Sequence, residues 1–313
     1  MQFFTVWLSI NLKCLQDRLF GYLYSFLLFL QRLSFRKHIP VELLLRFLNA
    51  KRLFRISSPH QRRLANVAHE NQRCLLGDKI HIDFTLASER REILDYAATY
   101  GQNKEIIAQL NSFSDQLSAV VKPLHDSGIP VVLAPMHMVS DILAGIIAAN
   151  VFPGKGTIIV SSNAEDYQEK DRSKAGVNLT YCSIHSNNEG IANNIMSTCF
   201  DAAEHKTNII LFPDIVPEYT HSSGAQFSSK IKCKLFNRSA NIHSGVYRLA
   251  RTLSAKIVFY HLYFDDGLKI YVHTPLESKD APVEIPKLIE SAITRHPQDW
   301  LLWHLHSLYF INK

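Results

Sequence analysis

The sequence predicts an α/β protein: a mixed, mainly parallel sheet with helices on both faces, preceded by a helical N-terminal segment. Two observations predict it. Beyond residue 129, short strand-like runs alternate with helical patterns, the order that builds a parallel sheet. The runs are also apolar without interruption, as strands covered on both faces are. The 313-residue chain is long enough to bury such a sheet, and it shows no low-complexity tract and no repeat.

The elements follow in order. Residues 40–100 read as helical, with Val41, Leu44, Leu45, Phe47 and Leu48 and then Leu64, Val67 and Ala68 at near-helical spacing. Ser57-Ser58-Pro59 reads as an N-cap with proline just inside the helix that carries Arg62, Arg63 and Asn66. A helix over 104–124 ends at Asp126-Ser127-Gly128, which turns into a strand at 129–135. Then come a helix at 141–149, a strand at 156–161, a helix at 165–174, a strand at 177–182, a helix at 190–204 and a strand at 207–212. The helix at 243–253 precedes strands at 256–264 and 268–273, which turn at Asp265-Asp266-Gly267. A closing helix spans 286–295.

Charge is unevenly distributed. The chain carries a net charge of +6. Residues 1–55 hold nine Lys/Arg against Asp17 and Glu42, a net of +7, so the remainder sums to −1. A basic segment suits nucleic acid or an anionic membrane. Here the residues between the charges are Phe3, Phe4, Trp7, Leu8, Leu19, Phe20, Tyr22, Leu23, Tyr24 and Phe26–Leu30, which suits the headgroup–acyl boundary and not a phosphate backbone. The uncharged stretch 19–31 falls short of the ~20 residues that span a bilayer, and no small-residue cleavage site follows it. The expectation is an in-plane or shallow anchor over residues 1–39 and one α/β domain over 40–313. A core helix of the soluble body is the alternative for the apolar run.

Five cysteines (Cys14, Cys74, Cys182, Cys199, Cys233) are scattered without C-x-x-C pairing, which argues against a disulfide framework and a zinc site and for a reducing compartment. The fifteen histidines form no H-E-x-x-H or similar metal cluster.

One histidine stands out. The run Ile129–Met136 ends in His137, and Asp141 follows four residues later. A general base needs an imidazole held still and kept near neutral pKa, and a carboxylate does both. Residues at i and i+4 can share a helix face with Cβ atoms about 5–6 Å apart. Spacing alone does not decide, because His261 and Asp265 repeat the same pattern inside a strand. Asp214 lies two residues past the run 207–212, where α/β sheets place ligand sites; a turn-forming role is the competing reading. Trp300 and Trp303 read as packing residues.

Four blocks together resemble the bacterial lipid A late (secondary) acyltransferases, within the lysophospholipid-acyltransferase-like group. They are APMHMVSD around His137, NIILFPD ending at Asp214, KLFNRSANIHSGVYRLARTLSAKIV (234–258), and HPQDWLLWH (296–304). The likeness covers roughly residues 40–305. One departure is clear: three residues separate His137 from Asp141, where the family has four.

The resemblance implies a glycerolipid-acyltransferase-like fold and a membrane-associated enzyme on the cytoplasmic face of a bacterial inner membrane. It implies transfer of an acyl group from an acyl carrier protein or coenzyme A thioester to a lipid or glycolipid acceptor, with no cofactor, metal or nucleic acid. His137 would be the base and Asp141 its orienting acid. Arg172 and Asp214 would bind substrate, Arg172 by holding a phosphate. Lys174, Lys230 and Lys232 with Arg172 are candidates for a basic rim that steers an acidic carrier. From the residues alone, the polar loop Pro217–Gly224 reads as a cover for the site or a contact for the head group, and Arg172 also reads as a solvated charge at a helix end. Aminoacyl transfer to lipid A and a catalytically inactive scaffold of the same fold are the alternatives. The H-x-x-x-D condensation-type acyltransferases are disfavoured, because His137 lacks their second histidine and trailing glycine.

Overall fold

In the computed structural model, β1 (Val131–Pro135) runs through the interior of a seven-stranded sheet and delivers His137 to its carboxyl edge. The structure describes residues 2–34, 40–43, 45, 46, 48, 59–77, 82–160, 178–184, 190–215 and 230–305. Arg172, Lys174, the 165–174 segment, Ser57-Ser58 and the 217–224 loop lie outside these residues.

Helix α1 (Gln2–Ser34) is followed by α2 (Pro59–Leu76), α3 (Phe84–Ala98) and α4 (Lys104–Asp126). After β1 come α5 (Asp141–Asn150), β2 (Gly156–Val160), β3 (Leu179–Ser183), α6 (Ile191–Ala203) and β4 (Asn208–Ile210). The chain continues through β5 (Lys230–Leu235), β6 (Arg238–His243), α7 (Gly245–Thr252), β7 (Lys256–Phe264), β8 (Leu268–Val272), β9 (Leu276–Glu277) and α8 (Ala281–Arg295). Two 3-10 turns close it, Pro297–Asp299 and Leu301–His304.

The sheet order is β3-β2-β4-β1-β7-β8, with β9 also on β7. Strands β3, β2, β4, β1 and β7 are parallel, and β8 and β9 run antiparallel to β7. The mixed, mostly parallel α/β architecture is therefore as expected. Successive β1 residues feed opposite cores. Val131 and Leu133 pack with α3, α4 and α5, while Val132 and Ala134 pack with α7, α8 and the β5–β6 hairpin. Every β1 residue is buried, which explains its lack of polar alternation. Gly156 is required where α5 meets the sheet: a Cβ there would lie 2.6 Å from Ile210 Cδ1 and 3.1 Å from Ala149 Cα.

Caps fix several helices as their sequences dictate. Asn103 accepts from the Glu105 and Ile106 amides at the start of α4, and Ser140 accepts from the Leu143 amide at the start of α5. The closing helix begins at Ala281 and not at Pro286: Pro282, in its first turn, suits a helix start, and Pro286 lies inside the helix. The expected helix at 243–253 shortens to α7.

An unforeseen hairpin precedes it. Residues Lys230–Leu235 pair antiparallel with Arg238–His243, joined by Phe236-Asn237 with φ of +52° and +60°. That is the left-handed pair a two-residue hairpin turn requires. The alternation K-I-K-C-K-L carried the signal, while the turn lacks the usual Asn-Gly.

Among the described residues no helix is long and apolar enough to cross a membrane. Helix α1 nonetheless exposes Leu8, Leu12, Leu15, Leu19, Tyr22 and Phe26. Their spacing of four, three, four, three and four places them along one face.

Candidate active site

The parallel register builds the site. Leu133 on β1 pairs with Ile210 on β4, so residues four further along each strand leave the sheet side by side. Those residues are His137 and Asp214. Asp214 Oδ1 lies 2.8 Å from His137 Nδ1, and Oδ2 accepts the His137 backbone N–H at 2.9 Å. The Trp300 indole Nε1–H donates to the same Oδ2 at 3.0 Å. A carboxylate only accepts, so the imidazole carries its proton on Nδ1 and presents the Nε2 lone pair. Asp214 is fully buried and the His137 side chain is 13 % exposed.

Asp141 is not the partner of His137. It opens α5 and forms an ion pair with Arg91 of α3. Its place at the first helical position accounts for this, since the helix axis carries it away from the end of β1 and the α5 amino terminus favours a carboxylate there. His137 is thus held by a residue 77 positions downstream. Asp214 takes the place beside the imidazole that the sequence had given to Asp141. His261 and Asp265 do not pair either: Asp265 meets Lys269 at 2.8 Å, and both ring nitrogens of His261 are buried with no hydrogen-bond partner among the described residues.

The segment carrying His137 is tightly constrained. The Met138 N–H donates to Met136 O at 2.8 Å and the Ser140 N–H to Met138 O at 2.7 Å, two successive three-residue turns. Val139 between them has φ +60°, unusual for a β-branched residue and typical of backbone strain held at functional sites. The 3-10 turns brace it from outside. Val139 N–H donates to Asp299 O at 2.8 Å and Leu301 N–H to His137 O at 2.9 Å. Asp299 is fixed in turn by Arg90, which also lies 4.8 Å over the Phe264 ring, and by the Phe264 amide at 2.9 Å. The HPQDWLLWH block is therefore scaffolding for the histidine, and Trp300 touches its acid directly.

Beneath the turn, the Ser140 hydroxyl bonds Asp95 of α3, and Arg91 reaches Asp95 at 3.4 Å. Burial pushes Asp95 up to about 7, against the opposing pull of Arg91 and Ser140. Burial pulls the His137 pKa down, but the charge and hydrogen bond of Asp214, with Asp141 adding, outweigh it and the net shift is upward. Phe212 covers the imidazole at 4.3 Å between ring centroids. Among the described residues no group of three or more His, Cys, Asp or Glu is arranged to hold a metal ion.

An imidazole with Nδ1–H held by a buried carboxylate and Nε2 open can take a proton from an attacking hydroxyl or amine and return it to a leaving group. No protein-family model and no curated protein matches the chain.

Proposed function

We propose that the protein is a membrane-associated acyltransferase. It moves an acyl group from a carrier-protein or coenzyme A thioester to a hydroxyl or amine of a lipid or glycolipid, as the resemblance to the lipid A late acyltransferases implies. The observation that carries this reading is the His137–Asp214 pair at the carboxyl edge of a parallel sheet, where α/β folds gather their ligands. His137 Nε2 takes the acceptor's proton as it attacks the thioester carbonyl. Asp214 keeps the tautomer and stabilises the imidazolium. The acyl group passes directly from donor to acceptor, and the thiol leaves with the proton His137 returns.

The membrane part of the reading rests on α1. Large apolar side chains such as Trp7, Leu19, Tyr22 and Phe26 are each more than half exposed, and their natural cover is the headgroup–acyl boundary.

The test is acyl transfer from a radiolabelled thioester to lipid acceptor in vesicles. His137→Ala lowers turnover by at least ~10²-fold while leaving the fold intact, and His261→Ala leaves the chemistry unchanged. Equal losses from both, or no transfer by the wild-type protein from either donor class, overturns the reading.

A further inference from the structure

The β5–β6 hairpin has two chemically opposed faces. Ile231, Leu235, Ala240 and Ile242 turn inward and pack with α8 and its neighbours. Lys230, Lys232 and Lys234 are all exposed, and Ser239, Asn241 and His243 stand directly across the ladder from them. A strand rise of about 3.4 Å per residue sets the three ammonium groups in a line roughly 14 Å long. No acidic residue lies among the six. Three like charges along one strand face repel one another. Residues 56–313 carry a net charge of only −1, which makes the row a local concentration and not a share of a general surplus.

We propose that this lysine row is a docking face for an anionic lipid surface, acting with α1 to hold the protein against the membrane. Lysine is a compact, hydrated point charge without the bidentate geometry of arginine, suited to a fluid array of phosphates. A specific protein partner is disfavoured, because interface cores are depleted in lysine and rely on aromatic or arginine anchors, and this face offers neither. Single-stranded nucleic acid is disfavoured because no Phe, Tyr or Trp interleaves with the charges to stack on bases; the one ring on the face is His243, at the end of the row. The position fits. β6 runs into Ser244-Gly245, where a Cβ on Gly245 would lie 3.4 Å from Leu211, three residues before Asp214. The row therefore begins at the edge that carries the site and runs away from it along the hairpin. The inference rests on the membrane reading of α1 and not on the acyl-transfer chemistry.

The experiment measures sedimentation of the full chain with vesicles of phosphatidylcholine alone or with added phosphatidylglycerol. Each lysine near an anionic surface strengthens partitioning roughly fivefold, so Lys232→Gln with Lys234→Gln lowers binding to the anionic vesicles by about 25-fold. Binding to neutral vesicles and the melting temperature stay the same. Unchanged binding to anionic vesicles, or an equal loss on both kinds, overturns the proposal. So does a variant that keeps its vesicle binding but loses affinity for an acidic carrier protein, which would make that protein the occupant. Failure of the wild-type chain to bind either vesicle would instead overturn the membrane reading of α1, and loss of transfer in His137→Ala bears on neither.

Discussion

Asp214 Oδ1 sits 2.8 Å from His137 Nδ1, while Asp141, only four residues from the same histidine, faces Arg91. The two carboxylates make a clean pair for substitution. Asp214→Asn keeps an acceptor's shape but removes the charge and admits the wrong tautomer, a change that costs ~10⁴-fold in a serine-protease triad. A loss of 10³-fold or more in turnover is expected, against less than ~10-fold for Asp141→Asn. The check is single-turnover acyl transfer beside thermal melting. A larger loss for Asp141→Asn would return the orienting role to Asp141.

The indole of Trp300 donates to Asp214 Oδ2 from a fully buried position. Trp300→Phe preserves most of the apolar contact and deletes one donor to a charged group. The expected cost is about 1.5–3 kcal/mol of stability, read by chemical denaturation. The acidic limb of the pH–rate profile should also move upward, because Asp214, with fewer donors, holds the imidazolium more strongly. A shift in stability with an unmoved profile would reduce Trp300 to packing.

These contacts show how far the sequence could be read. The strand–helix alternation, the β1 and β7 strands and the position of His137 were legible because they follow from local apolar pattern and caps. The partner of His137 was not, since it depends on the register between β1 and β4, separated by a 77-residue interval that no periodicity reports. Counting equal offsets past the two strands would have placed Asp214 beside His137. The 230–243 hairpin was missed although its lysines alternate with inward Ile231 and Cys233, because Phe236-Asn237 is not a common turn pair. Trp300 read as packing because an indole's donor role is visible only with its acceptor in place.

Protonation should act on stability with opposite signs at His261 and His273 and at His137. Burial, aided by neighbouring His273, His296 and Arg295, pushes His261 down to about 3, and burial with Arg295 pushes His273 down to about 4. Both bind fewer protons folded than unfolded. Stability is therefore intact above the ordinary histidine value of 6.5 and is lost as pH falls below it, by up to about 1.4 kcal/mol per pH unit for each group. His261→Phe, which keeps a buried ring but cannot be protonated, should remove about half of the fall in melting temperature between pH 7 and 5, the rest being that of His273. His137 is raised, so its charged form favours folding below 6.5, and this contribution fades as pH rises through its folded value. Turnover, which needs the neutral ring, should fall on the acid side of a pKa above 6.5. An acid limb below 6.5 would contradict the Asp214 interaction in solution.

The exposed stripe of α1 gives a prediction of different kind, because two covers compete for it. Leu8, Leu12, Leu15, Leu19, Tyr22 and Phe26 recur at the 3–4 spacing that also zips helices together. Burying half of each side chain contributes roughly 1 kcal/mol apiece, so six correspond to about four orders of magnitude in partitioning before ordering costs. Removing residues 1–34 should release the protein from membranes almost completely. High salt should release the intact chain only in part, since it screens the lysine row and not the apolar contact. The discriminating measurement is the oligomeric state of the full chain in detergent-free buffer, beside its sedimentation with vesicles. Membrane binding that survives the deletion, with a dimer of the full chain becoming a monomer, would mean that the stripe pairs with a second copy and that the membrane contact lies on the body.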